Sequence, residues 1–519
     1  MWRGYNGSAM LGDEDSNPLR ELQGAVEGFI RSHQHPIVVE DELELFDLSV
    51  ASWRLTTEHH KLLLEVWNPE RTIVRRIEEV AYRDRGKLGL FVRKPGGRGT
   101  ATLEIREFIP AGRRTAGASR PSYRRQLTAM LSREYPGWKL ERVSNRSDRE
   151  HSFSACYTRG LARRGTTAWA FLGLSPAEAP AAAGAILAHG LIWLDDLRDH
   201  AERYSVGGLK LFVPRAGVDL VAHRAAYLNP RAIQVEIFPW EPDGTPPASV
   251  DLHNFGNVET RLTPLRHGEA LVVRHAGVIR ALLGDVFERV DVVPDAPANL
   301  LSLRVLGLEV ARVEGLLAPR VFFGLEGSFR KLDPDGYAAF REFLHEVIQT
   351  RRPGSPDPTH NFYRFQAERW LESLLVHDIT KVDPLLLPDC VYPQVPAFTG
   401  QDRGIIDILA VTRRGRLAVI ELKLDEDINL PVQGLDYWLR VKWLHERAQF
   451  QEFGYFRGVS LAKEPPLLYL VSPAFRFHST TDRIIRYLAP SIEIIKVGIN
   501  QQWRRGVEVL FRRSVEPPH

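Results

Sequence analysis

The chain has 519 residues, of which 44% are hydrophobic and 26% charged, with a net charge of +3. That length predicts several compact domains, each large enough to form its own core. Two cysteines, Cys156 and Cys390, are too few for a disulfide framework or a cysteine-based zinc site. No apolar segment has the ~18 residues of a membrane span and no secretion signal is indicated, so we expect a cytoplasmic protein without a membrane partner.

Three stretches rich in turn-forming and small residues predict linkers, at residues 110–122, 240–249 and 351–359. They divide the chain into four predicted domains, at 1–112, 120–230, 231–350 and 359–519. The first has a helical pattern over 19–30 and then strand patterns such as 61–67. The third mixes strands, including 270–274, with a helix over 337–350. The fold class we expect is therefore α/β, a mixed α+β multidomain protein.

Residues 113–164 contain thirteen Arg and Lys against four acidic residues. Such a local excess of positive charge suits a surface that faces phosphate groups, but it is equally typical of an ordinary solvated face. The residues in it that we expect to contact a nucleic acid are Arg124, Arg125, Arg163 and Arg164.

Two apolar runs of strand length surround the turn Arg413-Arg414-Gly415 and predict a β-hairpin. Centring the turn on Arg414 places Asp407 opposite Glu421, and side-chain alternation puts Lys423 on the same face. Two facing carboxylates destabilise apolar strands unless something compensates for them. A divalent cation held by both is one solution. The alternative is a half-exposed hairpin with a surface Glu–Lys pair, but the apolar residues on both faces favour a site.

Helical patterns lie on either side of this hairpin. The apolar stripe from Phe362 to Leu375 predicts one continuous helix, on which Glu368 and Glu372 lie one turn apart. Gln433 and Tyr437 lie one turn apart at the start of the helix that follows the hairpin.

This ordered set resembles the PD-(D/E)XK nuclease superfamily, in the branch of RecB-type nuclease domains and NucS-like mismatch endonucleases. The matching motifs are Glu368 on its helix, Gly404-Ile-Ile-Asp407, Glu421-Leu-Lys423 and Gln433-Gly-Leu-Asp-Tyr437, which fits a QxxxY motif. The resemblance covers about residues 359–497, less than a third of the chain. It implies a restriction-endonuclease-like fold, with a central mixed sheet flanked by helices.

The resemblance also implies a function, that of a Mg²⁺- or Mn²⁺-dependent DNA endonuclease or exonuclease in repair or defence. Asp407 and Glu421 would bind the metal, with the carbonyl of Leu422 as a further ligand. Glu368 would complete the metal shell directly or through water, and Glu372 is the alternative to it. A non-catalytic nucleic-acid-binding or scaffold protein that retains a nuclease fold is the alternative function.

Further roles follow from the same resemblance. Lys423 would position or help to deprotonate the attacking water and offset charge on the phosphate. Gln433 and Tyr437 would hold the phosphate and the lysine. Lys442 and Arg447 are placed to face the nucleic acid. DNA is the expected partner, RNA is the alternative substrate, and a homodimer is compatible with the pattern.

A second, degenerate copy is predicted at 120–230, because its elements follow the same order as those of the C-terminal domain. Its turn Arg163-Arg164-Gly165 matches Arg413-Arg414-Gly415. Laying the following strands on each other, with two inserted residues, puts Gly173 and Ser175 where the C-terminal copy has Glu421 and Lys423. We interpret this segment as a nuclease-like domain that keeps a basic surface and has lost the metal. It predicts a helix-flanked mixed sheet between residues 120 and 215.

Overall fold

In a computed structural model of the protein, the described residues are 18–33, 36–40, 43–48, 51–58, 61–67, 72–84, 87–93, 100–107, 113–148, 152–178, 180–240, 248–253, 259–265, 268–295, 299–315, 318–325, 329–358, 360–399 and 402–515. The fold is mixed α/β, as the sequence predicts. The chain forms two compact units. Unit 1 comprises residues 1–110, 323–344 and 359–366, and unit 2 comprises residues 111–322, 345–358 and 367–519.

The described ranges contain eleven helices and twenty-four strands, besides short 3₁₀ turns. The helices are α1 Pro18–Ser32, α2 Arg113–Glu134, α3 Pro180–Asp199, α4 Val218–Ala225, α5 Glu269–Leu283, α6 Tyr337–Thr350, α7 Asn361–Arg364, α8 Ala367–His377, α9 Leu430–Glu446, α10 Gln449–Glu452 and α11 Thr481–Ile485. The strands are β1 Pro36–Glu40, β2 Leu43–Asp47, β3 Ser52–Glu58, β4 Lys61–Trp67, β5 Thr72–Asp84, β6 Lys87–Arg93, β7 Thr100–Glu107, β8 Lys139–Ser144, β9 Tyr157–Arg164, β10 Thr167–Leu174, β11 Ser205–Pro214, β12 Gln234–Trp240, β13 Thr260–Leu262, β14 Asp291–Asp295, β15 Leu300–Val305, β16 Leu308–Glu314, β17 Arg320–Phe323, β18 Arg330–Lys331, β19 Leu386–Thr399, β20 Asp402–Thr412, β21 Leu417–Leu422, β22 Leu467–Pro473, β23 Ile494–Ile499 and β24 Val509–Val515.

Unit 1 is built on an antiparallel sheet of seven strands in the order β2-β1-β7-β6-β5-β4-β3. The apolar stripe of α1, with Val26, Phe29 and Ile30, packs into the core on this sheet, which is the amphipathic arrangement its sequence predicts. The guanidinium of Arg75 donates to both carboxylate oxygens of Glu40, at 2.7 and 2.6 Å. This bidentate pair satisfies two charges buried in the sheet.

Unit 2 contains two lobes with one topology, the N-terminal lobe (residues 113–240) and the C-terminal lobe (residues 367–515). In the first, β8, β9 and β10 are antiparallel, and β11 and β12 continue the sheet in parallel. In the second, β19, β20 and β21 are antiparallel, and β22 and β23 are parallel to β21. Helices α2, α3 and α4 have the chain positions of α8, α9 and α11. The helix-flanked mixed sheet predicted between residues 120 and 215 is confirmed.

The two lobes meet through matching segments of chain. The amide of Asn229 donates to the carbonyl of Tyr487, and the amide of Ala489 donates to the carbonyl of Tyr227, both at 2.8 Å. Leu228 and Leu488 pair between these two bonds. Buried apolar residues of both lobes form one continuous core. The lobes are therefore related by an approximate two-fold axis within a single chain.

Two local predictions were wrong. Of the predicted linker 110–122, residues 113–122 are helical in α2, because the buried Tyr123, Leu127 and Leu131 on one face of that helix outweigh the exposed Pro121. Residues 110–112 lie outside the described residues, as do 241–247 of the second predicted linker. The predicted strand 270–274 belongs to helix α5, which buries residues at helical spacing, namely Leu271, His275, Ile279 and Leu282.

Within the described ranges, no helix is long and apolar enough to cross a membrane.

The shared core predicts that a single truncation at the lobe junction destabilises unit 2. Leu488 is fully buried there, so Leu488→Ala is expected to lower the free energy of unfolding by about 2–5 kcal/mol in a urea titration. Leu510→Ala, on an exposed position of β24, is the matched control and should change it by less than about 0.5 kcal/mol. Equal effects of the two substitutions would contradict a common core.

Candidate active site

The hairpin of β20 and β21 has the register that the sequence predicts. Ile408 pairs with Ile420, and the ladder continues to Val411 opposite Leu417. The same register places Asp407 opposite Glu421. The amide of Leu422 donates to Asp407 Oδ2 at 3.0 Å, which ties the aspartate to the end of the neighbouring strand.

Glu421 is fully buried, and neither of its carboxylate oxygens has a hydrogen-bond partner among the described residues. Burial raises the pKa of Glu421 well above its ordinary value, and the charge of Asp407 adds to the effect. Burial also raises the pKa of Asp407, although the Leu422 amide opposes the shift. A buried carboxylate without donors destabilises a fold, so this pair is a strong candidate for a cation site.

Glu368 lies in the first turn of α8, but the predicted continuous helix over 362–375 was wrong. Helix α7 ends at Arg364, and α8 begins at Ala367. Between them the backbone of Gln366 is left-handed, with a φ of 41°. The break lets a new helix begin one residue before Glu368, whose Oε1 accepts from the amide of Leu424 at 3.4 Å.

The ammonium group of Lys423 lies between two carboxylates. Its Nζ is 3.9 Å from Glu368 Oε2 and 3.9 Å from Glu421 Oε1. Burial lowers the pKa of Lys423, but the surrounding carboxylates outweigh it and the net shift is upward. The structure thus brings together four of the predicted site residues: Glu368, Asp407, Glu421 and Lys423.

Glu372 is the second acidic residue of α8, and it is more buried than Glu368. Its Oε2 accepts from Arg369 Nη1 at 2.9 Å and from the side-chain amide of Gln394. Burial raises the pKa of Glu372 to about 8, opposed by Arg369 and reinforced by the charge of Asp407. Arg369 and Gln394 are not among the site residues predicted from the sequence. The three-residue spacing from Arg369 to Glu372 is a usable signal, whereas Gln394 comes from β19 and has none.

Gln433 and Tyr437 face the same group from helix α9. Gln433 Nε2 donates to the Tyr437 hydroxyl at 3.3 Å. Burial and then the charge of Glu421 raise the pKa of Tyr437, which therefore remains a neutral hydroxyl near the carboxylates. Gly434 lies between them on the side that packs against β22, where an added Cβ would come within 2.8 Å of Leu470. The glycine thus lets α9 lie close to the sheet.

The basic residues predicted to contact a nucleic acid have mixed surroundings. Arg163 donates to Glu141 Oε1 from Nη2 at 2.7 Å and from Nε at 3.1 Å, and Arg124 donates to Asn145 at 3.2 Å. Arg125 and Arg164 are exposed.

The two basic residues of the C-terminal lobe also make contacts within the protein. Lys442 donates to Glu446, and the guanidinium of Arg447 lies 3.8 Å from the ring centroid of Trp443. Their contact with a nucleic acid, like that of the four arginines, stays a prediction.

Across the described ranges, no group of three or more His, Cys, Asp and Glu side chains is arranged to hold a metal ion. Lys423 lies 3.9 Å from both Glu368 and Glu421, and the strand register places Asp407 opposite Glu421. Mg²⁺ is often held by one or two carboxylates together with water and substrate phosphates. The donor-free oxygens of Glu421 fit that mode of binding.

No protein-family model matches the chain, and no curated protein matches it.

The buried like charges predict that removing one stabilises the metal-free protein. Glu421→Gln is expected to raise the free energy of unfolding by about 1–3 kcal/mol, because a neutral amide replaces a carboxyl whose ionised form lacks donors. Chemical denaturation in EDTA measures it, with the exposed Glu452→Gln as control. A destabilised Glu421→Gln protein would show that the carboxylate is satisfied without a metal.

Glu372 predicts a pH dependence of stability. Its pKa is about 8 in the fold against 4.5 ordinarily. As the pH rises between these values, the unfolded chain loses a proton that the folded chain keeps, so stability falls. Glu372→Gln should therefore gain about 2–5 kcal/mol over the native protein at pH 8 and little at pH 4. Denaturant titrations at both pH values test this, and equal gains would refute it.

Proposed function

We propose that the protein is a metal-dependent nuclease that hydrolyses phosphodiester bonds in DNA. The observation that carries the proposal is the facing pair of a fully buried Glu421 and a half-buried Asp407 in an apolar hairpin, with Lys423 beside Glu421. A non-catalytic scaffold has no use for a buried carboxylate whose oxygens accept no hydrogen bond from the described residues, because such a group lowers the stability of the fold. In a site that binds a divalent cation, such a carboxylate serves as a metal ligand.

Asp407 and Glu421 would hold Mg²⁺ or Mn²⁺, with the carbonyl of Leu422 as a further oxygen ligand. Glu368 would act through a water, since the Leu424 amide already engages its carboxylate. Such a metal lowers the pKa of a bound water and offsets charge on the phosphate.

The other polar side chains of the site would bind the phosphate and orient the attacking water. The Lys423 ammonium would offset charge on the phosphate and position the attacking water. Gln433 and Tyr437 would hold the phosphate from the side of α9, because their amide and hydroxyl lie against the carboxylates. In the reaction, the oxygen of one water bonds to phosphorus and one P–O ester bond breaks. The departing oxygen takes a proton, so the products are a phosphomonoester and a hydroxyl group.

Cleavage assays test the proposal. Linear, circular, single-stranded and mismatched DNA, together with RNA, are incubated with the protein in Mg²⁺, in Mn²⁺ and in EDTA. We expect DNA to be cleaved in Mg²⁺ or Mn²⁺ and not in EDTA. Glu421→Gln should slow the cleavage at least about 100-fold, because the metal supplies several kcal/mol of transition-state stabilisation. Glu452→Gln should cleave at the native rate. Faster cleavage of RNA than of DNA would reassign the substrate.

A second readout does not depend on activity. Mn²⁺ should raise the midpoint of thermal unfolding of the native protein and leave that of Glu421→Gln unchanged. If cleavage is absent, or equal in Glu421→Gln, and Mn²⁺ has no effect on unfolding, the protein is a scaffold rather than a nuclease.

A further inference from the structure

The two lobes of unit 2 can be compared residue by residue, because the same helix–strand contact occurs in both. Gly190 of α3 lies against Leu209 and Leu211 of β11, where an added Cβ would meet them at 2.8 and 3.0 Å. Gly434 of α9 lies in the same way against Leu468 and Leu470 of β22. Leu211 in the N-terminal lobe therefore corresponds to Leu470 in the C-terminal lobe.

The strand ladders carry this correspondence into the site. Leu470 pairs with Glu421, and Leu211 pairs with Leu172. The position of Glu421 is thus taken by Leu172, and that of Lys423 by Leu174. The overlay on Gly173 and Ser175 drawn from the sequence was wrong by one residue, because the strands align with one inserted residue rather than two. Both leucines are buried in the shared core.

The position of Asp407 is taken by an arginine. Leu172 pairs with Arg159 across the hairpin of β9 and β10, as the register places Asp407 opposite Glu421. Arg159 is buried, and its guanidinium lies 4.5 Å from the ring centroid of Phe153 and 5.6 Å from that of Trp193. The N-terminal lobe therefore carries a fixed cation where the C-terminal lobe carries carboxylates.

A second guanidinium reinforces this reversal of charge. Arg142 lies 5.2 Å from the Trp193 ring, and its Nη2 is 3.4 Å from Asp196 Oδ2. A divalent cation would meet two guanidinium groups here, and the nearby Asp148 and Asp196 already interact with Arg159. The described residues of the N-terminal lobe therefore lack the two facing carboxylates that would hold the metal in the C-terminal lobe.

One contact between the lobes lies near the position of Arg159 in the N-terminal lobe and that of Glu421 in the C-terminal lobe. Ser152 precedes β9, near Arg159, and its hydroxyl lies 3.2 Å from His478 Nε2. His478 follows β22, the strand that pairs with β21 at Glu421. Glu426 and Asp427, just after Lys423, are close enough to act on the pKa of His478. The Ser152–His478 contact thus joins the segment before β9 to the segment after β22.

We propose that the two lobes engage the two strands of one DNA duplex, and that the chain cuts only the strand at the C-terminal lobe. The two DNA strands of a duplex are related by local two-fold axes. Two lobes related by a two-fold axis therefore present equivalent surfaces to the two DNA strands. The inference rests on the proposed nuclease function and adds its substrate, duplex DNA, and its product, a nick. Each nick consumes one water and leaves one phosphomonoester and one hydroxyl.

Supercoiled plasmid DNA with Mg²⁺ or Mn²⁺ distinguishes one cut from two. We expect nicked circles to accumulate first, with linear DNA appearing only after separate nicks, at every protein concentration. Linear DNA as the first product overturns the inference and leaves the nuclease function standing. Cleavage of single-stranded DNA while the plasmid stays intact likewise overturns the inference and leaves the nuclease function standing. No cleavage of any substrate overturns the nuclease function itself, and the inference with it.

A variant of the N-terminal lobe tests whether this lobe binds the second DNA strand. Arg146 is exposed just beyond β8, whose end pairs with the start of β9 at Arg159. Arg146→Ala should lower the affinity for a short duplex in Ca²⁺ about 3–10-fold and leave that for a single-stranded oligonucleotide unchanged. Arg352→Ala, exposed and outside both lobes, is the control. Equal losses for duplex and single strand would overturn the assignment of the second strand to this lobe.

Discussion

The architecture of the site depends on the burial of two like charges. Asp407 and Glu421 face each other across an apolar hairpin, where the Leu422 amide donates to Asp407 and the Lys423 ammonium lies 3.9 Å from Glu421. Glu368 and Glu372 lie near this pair, so four acidic side chains outnumber the neighbouring cations Lys423 and Arg369. The fold can retain that arrangement only because the hairpin on each side is held by a large apolar core.

Comparison of the lobes separates the requirements of the fold from those of the site. The N-terminal lobe keeps the same sheet order, crossover helix and close helix–strand approach, yet it has Leu172 at the position of Glu421. Its core is continuous with that of the C-terminal lobe. The same topology therefore forms without carboxylates at these positions.

The sequence predicts the hairpin well, since a turn centred on Arg414 and strict side-chain alternation determine its register. It predicts less where conformation depends on distant contacts. No residue near Gln366 indicates its left-handed backbone. The segment around Leu271 was predicted as a strand because its apolar run is too short to distinguish helical from strand periodicity. The duplicated lobe is detectable from the order of its elements, but Leu172 could be placed opposite Arg159 only by the ladders.

The paired segments around Leu228 and Leu488 have a consequence for how the lobes stay together. In enzymes assembled from separate subunits, the two-fold interface separates on dilution, and the fraction assembled depends on concentration. Here the partners are parts of one chain, so each meets the other at a high local concentration set by the connecting segments. The symmetry is preserved in a single molecule, and each lobe is free to diverge without losing its partner.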